Sequence, residues 1–453
     1  MDKPNILLLT IDALRVDMLK SYGGSGANTP NLDRFAQAGI RFEYAITGGS
    51  WTQAAFPVIL TSTYAGQYGG CMGKLSPARP SPIAALAECG YTTIGIATNP
   101  WLGERRGYNR GFTRFHDLAP MRKNPRLRKM RGGQTLLRLP AAHAIARLFG
   151  KRWTPAAVYV PATQINQTIL ADLPAAPKPW FLWAHYMDVH WPYHVQAGLT
   201  RPADLAQAWR DLAHFHRASW QNGKITPHQL AHYRELYAQA LHYLDAQIGA
   251  LLEQLQTRGL LENTWIFILA DHGEEFLEHG QLGHLENNFH DEILRVPFMV
   301  RRPSPGAMTL TEQIRTLDLM PTILDLCHCP LPEKVEGTSL TPLWDGAPEQ
   351  YRVPTAICER PRPGEETIAI RTPAFKYIWR KDAADNPGLF DLAADPAEQV
   401  NVAAAHPEVV QAFQREVDLH LERVARTNPA APVELPLDDD KMLARLRDLG
   451  YLG

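Results

Sequence analysis

Five short apolar runs constrain what this chain can fold into more than any other feature. Residues 5–11 (NILLLTI), 92–97 (TTIGIA), 180–185 (WFLWAH), 264–270 (TWIFILA) and 296–300 (VPFMV) are apolar almost throughout instead of alternating. A strand with one wet face alternates, whereas a strand covered on both faces does not. The runs therefore predict a parallel or mostly parallel sheet between helical layers. Helical segments lie between them. The clearest spans 230–257, where Leu241, Leu244, Ile248, Leu251 and Leu255 repeat at spacings of three and four. It stops near Arg258-Gly259, a basic last turn followed by a C-cap glycine. Segments 30–39 and 81–90 each close on Gly in the same way. This alternation indicates an α/β fold.

At 453 residues, 45% hydrophobic and 21% charged, the chain has material for a large core and does not read as disordered. A formal net charge of −1 gives no global pull towards nucleic acid, and no nucleic-acid partner is expected. No apolar run reaches the ~18 residues of a membrane-spanning helix. The opening MDKPNILLLTIDALR has an apolar stretch broken by Thr10 and Asp12, so it reads as a first strand and not as a signal peptide. Five cysteines, an odd and sparse set, fit a reducing compartment, and the expectation is a cytoplasmic protein. Cys327-His328-Cys329 lacks the four-ligand spacing of structural zinc.

Two stretches differ in texture. Residues 120–160 open with the basic PMRKNPRLRKMRGG and read as a surface excursion, or as a lid that attracts an anionic substrate or touches a membrane surface. Beyond about 340, the pieces TAICER, TIAIRT and KYIWRK sit between Pro, Gly and Asp clusters. They predict a small antiparallel sheet with a helix near 405–425. The division is a main unit at 1–340, carrying the basic 120–160 insertion or lid, and a C-terminal α+β subdomain at 341–453.

Candidate chemistry gathers at strand ends. Asp12 follows strand 5–11, at the carboxyl edge where such sheets bind ligands. In ILADHGEEFLEHG, strand 264–270 delivers Asp271, His272 and Gly273 to the corresponding place, offering O and N ligands for a divalent cation. Strand 180–185 leads to Asp188, His190 and His194, and GQLGHLENNFHDE carries His284 ahead of Asp291. Taken singly, each has a plain structural reading, a capping aspartate or one of 17 histidines. Recurrence at three strand ends makes the stronger signal. Thr52, in GGSWTQAAFPVILTS (48–62), stands at the start of an apolar helix, where it can cap or attack. A cation beside it would lower the hydroxyl's pKa, and the helix N-terminus favours an anion.

Taken together, these pieces resemble the sulfatase branch of the alkaline phosphatase superfamily. The resemblance covers nearly the whole chain: NILLLTIDALRVDML, TPNLDRFAQAGIRFEYA, SWTQAAFPVILTS, GYTTIGIATNPWL, HYMDVHWPY, LADHGEEFLEHG and GHLENNFHDEILRVPFMV in order, with LFDLAADPAEQVN near the end. It implies a mostly parallel central sheet with helices on both faces, plus a small C-terminal antiparallel sheet. It also implies Asp12, Thr52, Asp271 and His272 as metal ligands for a divalent ion (Mn, Zn, Mg or Ca), with Thr52 the nucleophile. His190 and His284 would serve the leaving group, partly protonated near pH 7, and Asn99 would bind substrate. Relatives often place lysine where His284 stands. The departures are specific. Sulfatases use a C/S-x-P-x-R motif to make formylglycine, and here the stretch is Thr52-Gln-Ala-Ala-Phe56. Ala13 stands where many carry a second Asp, and His272 where many carry Asn. These changes are similar to threonine-dependent phosphodiesterases and phosphoalcohol transferases. The implied activity is hydrolysis or transfer of a small anionic phosphate mono- or diester through a covalent intermediate. The alternatives are a sulfuric ester hydrolase using unmodified Thr, or a catalytically silent binding protein of the same fold. Asp188 and His194 lack the full ligand set of a second ion, and oligomeric state is open.

Overall fold

The computed structural model describes residues 3–119, 159–194, 202–220, 225–304, 306–352 and 355–428. The basic 120–160 stretch therefore lies outside the described residues, apart from Tyr159 and Val160.

The principal sheet contains β1 (Asn5–Ile11), β2 (Ile40–Ile46), β3 (Thr92–Ala97), β4 (Arg114–Asp117), β5 (Trp180–Tyr186) and β6 (Thr264–Ala270). After a short hairpin, β7 (Glu275–Phe276) and β8 (Leu282–Gly283), the sheet is completed by β9 (Arg295–Arg301) and β10 (Met308–Arg315). The order across it is β10-β2-β9-β6-β1-β5-β3-β4. Seven strands share one direction, and β9 alone is antiparallel to its neighbours β2 and β6. Run 296–300 is thus a buried strand of opposite polarity. Continuous apolar character reports cover on both faces, not direction.

β2, β4 and β10 have no counterpart among the five runs. Their burial is patchy, with Arg41, Glu43 and Tyr44 of β2 and Met308 and Thr309 of β10 reaching solvent. Strands uncovered on one side keep polar residues and escape a search for unbroken apolar sequence.

Helices α1 (Pro30–Ala38), α2 (Thr52–Thr61), α3 (Pro82–Glu88), α4 (Ala162–Asp172), α5 (Pro202–Trp220), α6 (Pro227–Thr257) and α7 (Leu319–Leu326) surround the sheet. α6 packs on α1 and α4, while α2, α3 and α7 pack together. α6 opens on a capping box between Thr226 and Gln229 and stops at Arg258, with Gly259 at φ +66. Its Leu241, Leu244, Ile248, Leu251 and Leu255 are fully buried, each stabilising by roughly 1.5–3 kcal/mol. Gly39 after α1 is not a left-handed cap: its φ is −121. It is glycine because a Cβ there would come within 2.4 Å of the Val300 carbonyl oxygen. Among the described residues, no helix is long and apolar enough to cross a membrane.

The C-terminal sheet is an antiparallel meander of β11 (Ala356–Arg360), β12 (Thr367–Arg371), β13 (Phe375–Arg380) and β14 (Gly388–Asp391), with α8 (Pro407–Thr427) packed on β12 and β13. It joins the principal sheet through a buried ionic junction. Lys376, with no exposed surface, reaches Asp291 at 2.5 Å and Glu398 at 2.8 Å, and Arg371 holds Asp291 at 2.9 Å.

Candidate functional site

β1 lies between β5 and β6, with Thr10 in register with His185 and Ile11 with Ala270. Both neighbours run parallel to it, so Asp12, His185 and Asp271 arrive at one edge together. The Asp12 N–H donates to the Tyr186 carbonyl (2.9 Å) and the Asp271 N–H to that of Ile11 (3.4 Å). The chain then turns sharply at Ala13, at φ +56, a conformation disfavoured for a residue with a Cβ. That turn is tied down: Ala13 N donates to Asp271 Oδ1 (3.2 Å), and the Tyr237 hydroxyl of α6 donates to Ala13 O (2.7 Å). Across the edge, Gly273 packs so closely that a Cβ would lie 2.0 Å from the Glu292 carbonyl oxygen. Thr52 is the first residue of α2, whose ten residues are all buried.

Four donor atoms converge. Asp12 Oδ2 accepts from Thr52 Oγ1 (3.3 Å) and Asn99 Nδ2 (3.2 Å), with His185 Nε2 at 3.2 Å. Asp271 Oδ1 accepts from the N–H groups of Ala13 and His272, the latter at 2.9 Å. The other two carboxylate oxygens, Asp12 Oδ1 and Asp271 Oδ2, are buried and have no hydrogen-bond partner among the described residues. His272 Nε2 stands 3.6 Å from the first and 3.5 Å from the second, and 3.4 Å from Thr52 Oγ1. Its Nδ1 faces the Gly273 carbonyl at 2.9 Å, an arrangement that assigns the proton to Nδ1 and the Nε2 lone pair to the carboxylates.

The electrostatics agree with the geometry. Burial raises the Asp271 carboxyl far above the ordinary carboxylate range, and the charge of Asp12 raises it further. Burial also disfavours charge on Asp12, but His190, His185 and His272 outweigh it and hold this group well below the usual range. Two carboxylates this close ionise together only beside a cation. Orphaned oxygens from two aspartates, an imidazole nitrogen and a hydroxyl make a donor set that fits a divalent ion.

A second group adjoins the first. Ligand atoms of Asp12, His190 and His284 lie within 4.8 Å of one another, as do those of Asp12, His185 and Asp271. The His284 ring centroid is 4.4 Å from that of His272 and 4.7 Å from that of His190. His190 Nδ1 is 2.7 Å from both the Tyr159 hydroxyl and the Trp191 carbonyl, and His284 Nδ1 is 2.8 Å from Glu274 Oε1. The expectation of partly protonated histidines is corrected here. Burial, reinforced by His284 and opposed by Asp12, lowers His190 to about 4. Burial, reinforced by His272, lowers His284 to about 3. Both imidazoles are neutral near pH 7, because the fold leaves them 0% and 8% exposed, which no sequence pattern reveals.

Asn99 is in the site. Its Oδ1 caps the turn at Trp101 N (3.0 Å), while Nδ2 lies 3.2 Å from Asp12 Oδ2 and 3.5 Å from Thr52 Oγ1. Asp188, His194 and Asp291 are bound elsewhere. Asp188 Oδ1 accepts from the Ala162 N–H at the start of α4, and burial raises this carboxyl to about 7. His194 pairs with Asp211 at 3.3 Å, and Asp291 belongs to the ionic junction. Sequence reasoning missed His185, Tyr159 and Glu274. His185 had a usable signal: one polar ring at the end of an otherwise apolar strand. Tyr159 had none, lying at the end of the basic 120–160 stretch.

Residues 4–329 match the family model for sulfatases. The chain belongs to the sulfatase family. Residues 280–426 also match the model for the N-sulphoglucosamine sulphohydrolase C-terminal region. Arylsulfatase K of Bos taurus is 28% identical over 229 residues, covering 46% of this chain and 42% of that protein. The match thus spans less than half the length of this relative. Arylsulfatase A of Homo sapiens is 25% identical over 472 residues, covering 91% of this chain and 86% of its own. Among solved structures, a 2-O GAG sulfatase superposes with a TM-score of 0.71 at 19% identity, covering 94% of this chain and 93% of its own. The phosphonate monoester hydrolase of Agrobacterium radiobacter gives 0.71 at 21%, covering 93% and 96%. At such identities the superpositions establish the fold alone. Sulfatase-family proteins use a divalent metal ion, and the buried donor set fits one.

Proposed function

We propose that this protein is a metal-dependent hydrolase or transferase of phosphate mono- or diesters, with Thr52 as its nucleophile. The observation that carries the reading is the placement of Thr52 Oγ1 at the start of α2, 3.3 Å from Asp12 Oδ2 and 3.4 Å from His272 Nε2. Asp12, Asp271, His272 and Thr52 would hold the ion (Mn, Zn, Mg or Ca). When bound, it supplies positive charge that offsets the anionic ester and eases deprotonation of the hydroxyl.

The chain's own groups supply the rest. Asp12 accepts the Thr52 hydrogen bond and orients the hydroxyl, while Asn99 Nδ2 offers an N–H where a nonbridging oxygen would lie. Thr52 Oγ1 attacks phosphorus in line and gives a phosphothreonine as the ester oxygen departs. Thr52 gives up its proton to solvent, and His190 or His284 passes a proton to the departing oxygen. Water or an acceptor alcohol then releases the group and returns a proton to Thr52. Threonine cannot form the formylglycine aldehyde, so the attacking atom is the hydroxyl oxygen itself.

A second reading is sulfuric ester hydrolysis by the unmodified Thr52. It is favoured by the arylsulfatase relatives and by a fold neighbour solved with its substrate D-glucosamine-2-N,6-O-disulfate. In either case the substrate is a small anionic ester, the location cytoplasmic, and the chemistry confined to residues 1–340, with 341–453 an α+β subdomain.

The test is an assay with each metal added back against aryl phosphate, aryl phosphodiester and aryl sulfate. Phosphoester turnover, a trapped phosphoryl adduct on Thr52 and its loss in Thr52→Ala are expected. Full turnover by metal-loaded Thr52→Ala would end the proposal. Protein that purifies without metal and shows no chelator-sensitive turnover would favour the silent binding protein.

A further inference from the structure

We infer that Glu274 is a positioning residue for His284, engaging Nδ1 so that Nε2 is the ring atom presented to the reacting ester. The inference deepens the Thr52 reading and rests on it for the reaction, but the ring placement can be tested without turnover.

Glu274 has no exposed surface, and a buried carboxyl costs stability unless its oxygens are engaged. Both are. Oε1 lies 2.8 Å from His284 Nδ1, and Oε2 accepts from the Tyr193 hydroxyl at 2.7 Å. The backbone oxygen of Glu274 accepts from Arg15 Nη1 at 2.7 Å, so the main chain is fixed as well. Tyr193 is held among the rings of Phe215, Tyr237 and Phe276, which leaves the carboxyl little room to swing. Among the described residues, no lysine or arginine pairs with the Glu274 carboxyl, which leaves the His284 ring as its imidazole partner. The His284 ring stands 4.4 Å from that of His272, whose Nε2 is 3.4 Å from Thr52 Oγ1.

A carboxylate behind an imidazole selects which nitrogen is presented forward and steadies the ring while that nitrogen takes up and releases a proton. In this site Thr52 gives up its proton to solvent as its oxygen bonds to phosphorus, and Nε2 hands a proton drawn from solvent to the departing oxygen as the P–O bond breaks. On release, Nε2 takes the proton of the attacking water, and Thr52 recovers one from solvent as its bond to phosphorus breaks. Glu274 touches neither ester nor nucleophile and acts through His284.

The 4-nitrophenyl and phenyl esters of methyl phosphate, with the corresponding sulfates in parallel, separate this role from simple support of the fold. Nitrophenolate leaves with little help from a proton and phenolate needs one. Glu274→Gln should lower kcat on the phenyl ester by about 10²-fold, within the range of general acid–base catalysis, and on the nitrophenyl ester by under ~10-fold. Glu274→Asp should recover part of the loss. In a His284→Ala background, Glu274→Gln should change kcat no further. Equal losses on both esters, additive losses in the double variant, or loss of bound metal from Glu274→Gln would each overturn the assignment. Tyr193→Phe, which spares the carboxyl–imidazole contact, should show the same bias in weaker form; it carries the test if Glu274→Gln fails to fold. In ¹⁵N-histidine spectra, the Nδ1 signal of His284 should move in Glu274→Gln, and an unmoved Nδ1 would overturn the proposal. Wild-type protein that cleaves none of the esters would sink the Thr52 reading, while the spectra still decide the ring placement.

Discussion

The protein buries two clusters of carboxylates, and they are built on opposite plans. At the junction with the C-terminal sheet, Asp291 and Glu398 are met by Lys376 and Arg371, so that cluster is neutralised from within. Burial opposes ionisation of Asp291, but Lys376 and Arg371 outweigh it and hold this group well below the usual range. At the strand edge, the described residues around Asp12 and Asp271 are histidines, a hydroxyl and an amide, with no lysine or arginine paired to either, and one oxygen of each has no hydrogen-bond partner among them. The chain supplies the positive charge in the first place and withholds it in the second. A buried carboxylate pair without its own cation is costly to keep, and that cost marks a site for an ion from outside.

The largest effect should come from taking a carboxylate from the strand edge. Asp12→Ala or Asp271→Ala should abolish metal retention and cut turnover by at least 10²-fold, about 2.7–4 kcal/mol of barrier. Elemental analysis and kcat measure this, and a variant that keeps both would erase the contrast. At the junction, Lys376→Met should destabilise the fold by about 3–5 kcal/mol, because it takes the lysine from the buried Glu398 carboxylate and leaves Asp291 with Arg371 alone. Urea denaturation reads that loss, and metal content should stay at the wild-type level. Chelation should then separate the clusters in one sample. Wild type loses up to about 2.7 kcal/mol of stability if the ion had been present at 100 times its Kd. Metal-free Asp271→Asn should melt above metal-free wild type near pH 7, since the substitution removes a carboxyl whose ionisation is disfavoured by burial and by the Asp12 charge.

The smallest effect concerns His279, which stacks on His290 and holds Glu292 at 2.8 Å beside the junction. Burial opposes its charge, but Glu292 outweighs it and raises His279 to about 9 from an ordinary 6.5. A raised folded value means this contribution is complete below pH 6.5 and fades as pH climbs through about 9. Melting curves of wild type and His279→Gln should therefore differ near pH 6 and converge by about pH 10. A gap that widens with pH would reverse the assignment.

The strands that carry the chemistry were legible in the sequence for a physical reason. β1, β5 and β6 lie at the centre of the sheet, covered on both sides, and each ends where a polar group abruptly interrupts an apolar run. Position Thr52 was legible as a helix start. Its neighbours at 3.3 and 3.4 Å come from residues 40 and 220 positions away, a proximity no local pattern contains. His185 was concealed by the apolar strand that presents it, and Glu274 by an acidic stretch in which every carboxylate looks alike. The protonation of His190 and His284 was misread because depth of burial, absent from a sequence, decides it.

The lone reversed strand has an evolutionary corollary. Because β9 runs against β6, the chain leaves the sheet after Ala270 and re-enters it at Arg295 on the same rim, with Gly273 and Glu274 hydrogen-bonded to Ile293 and Glu292 where the excursion closes. Residues 271–294 are thereby a cassette, clipped at its base and carrying His272, Glu274 and His284 together. Such a segment can be exchanged or lengthened without shifting the register of the strands beneath it, so one scaffold can trade one set of proton-handling groups for another.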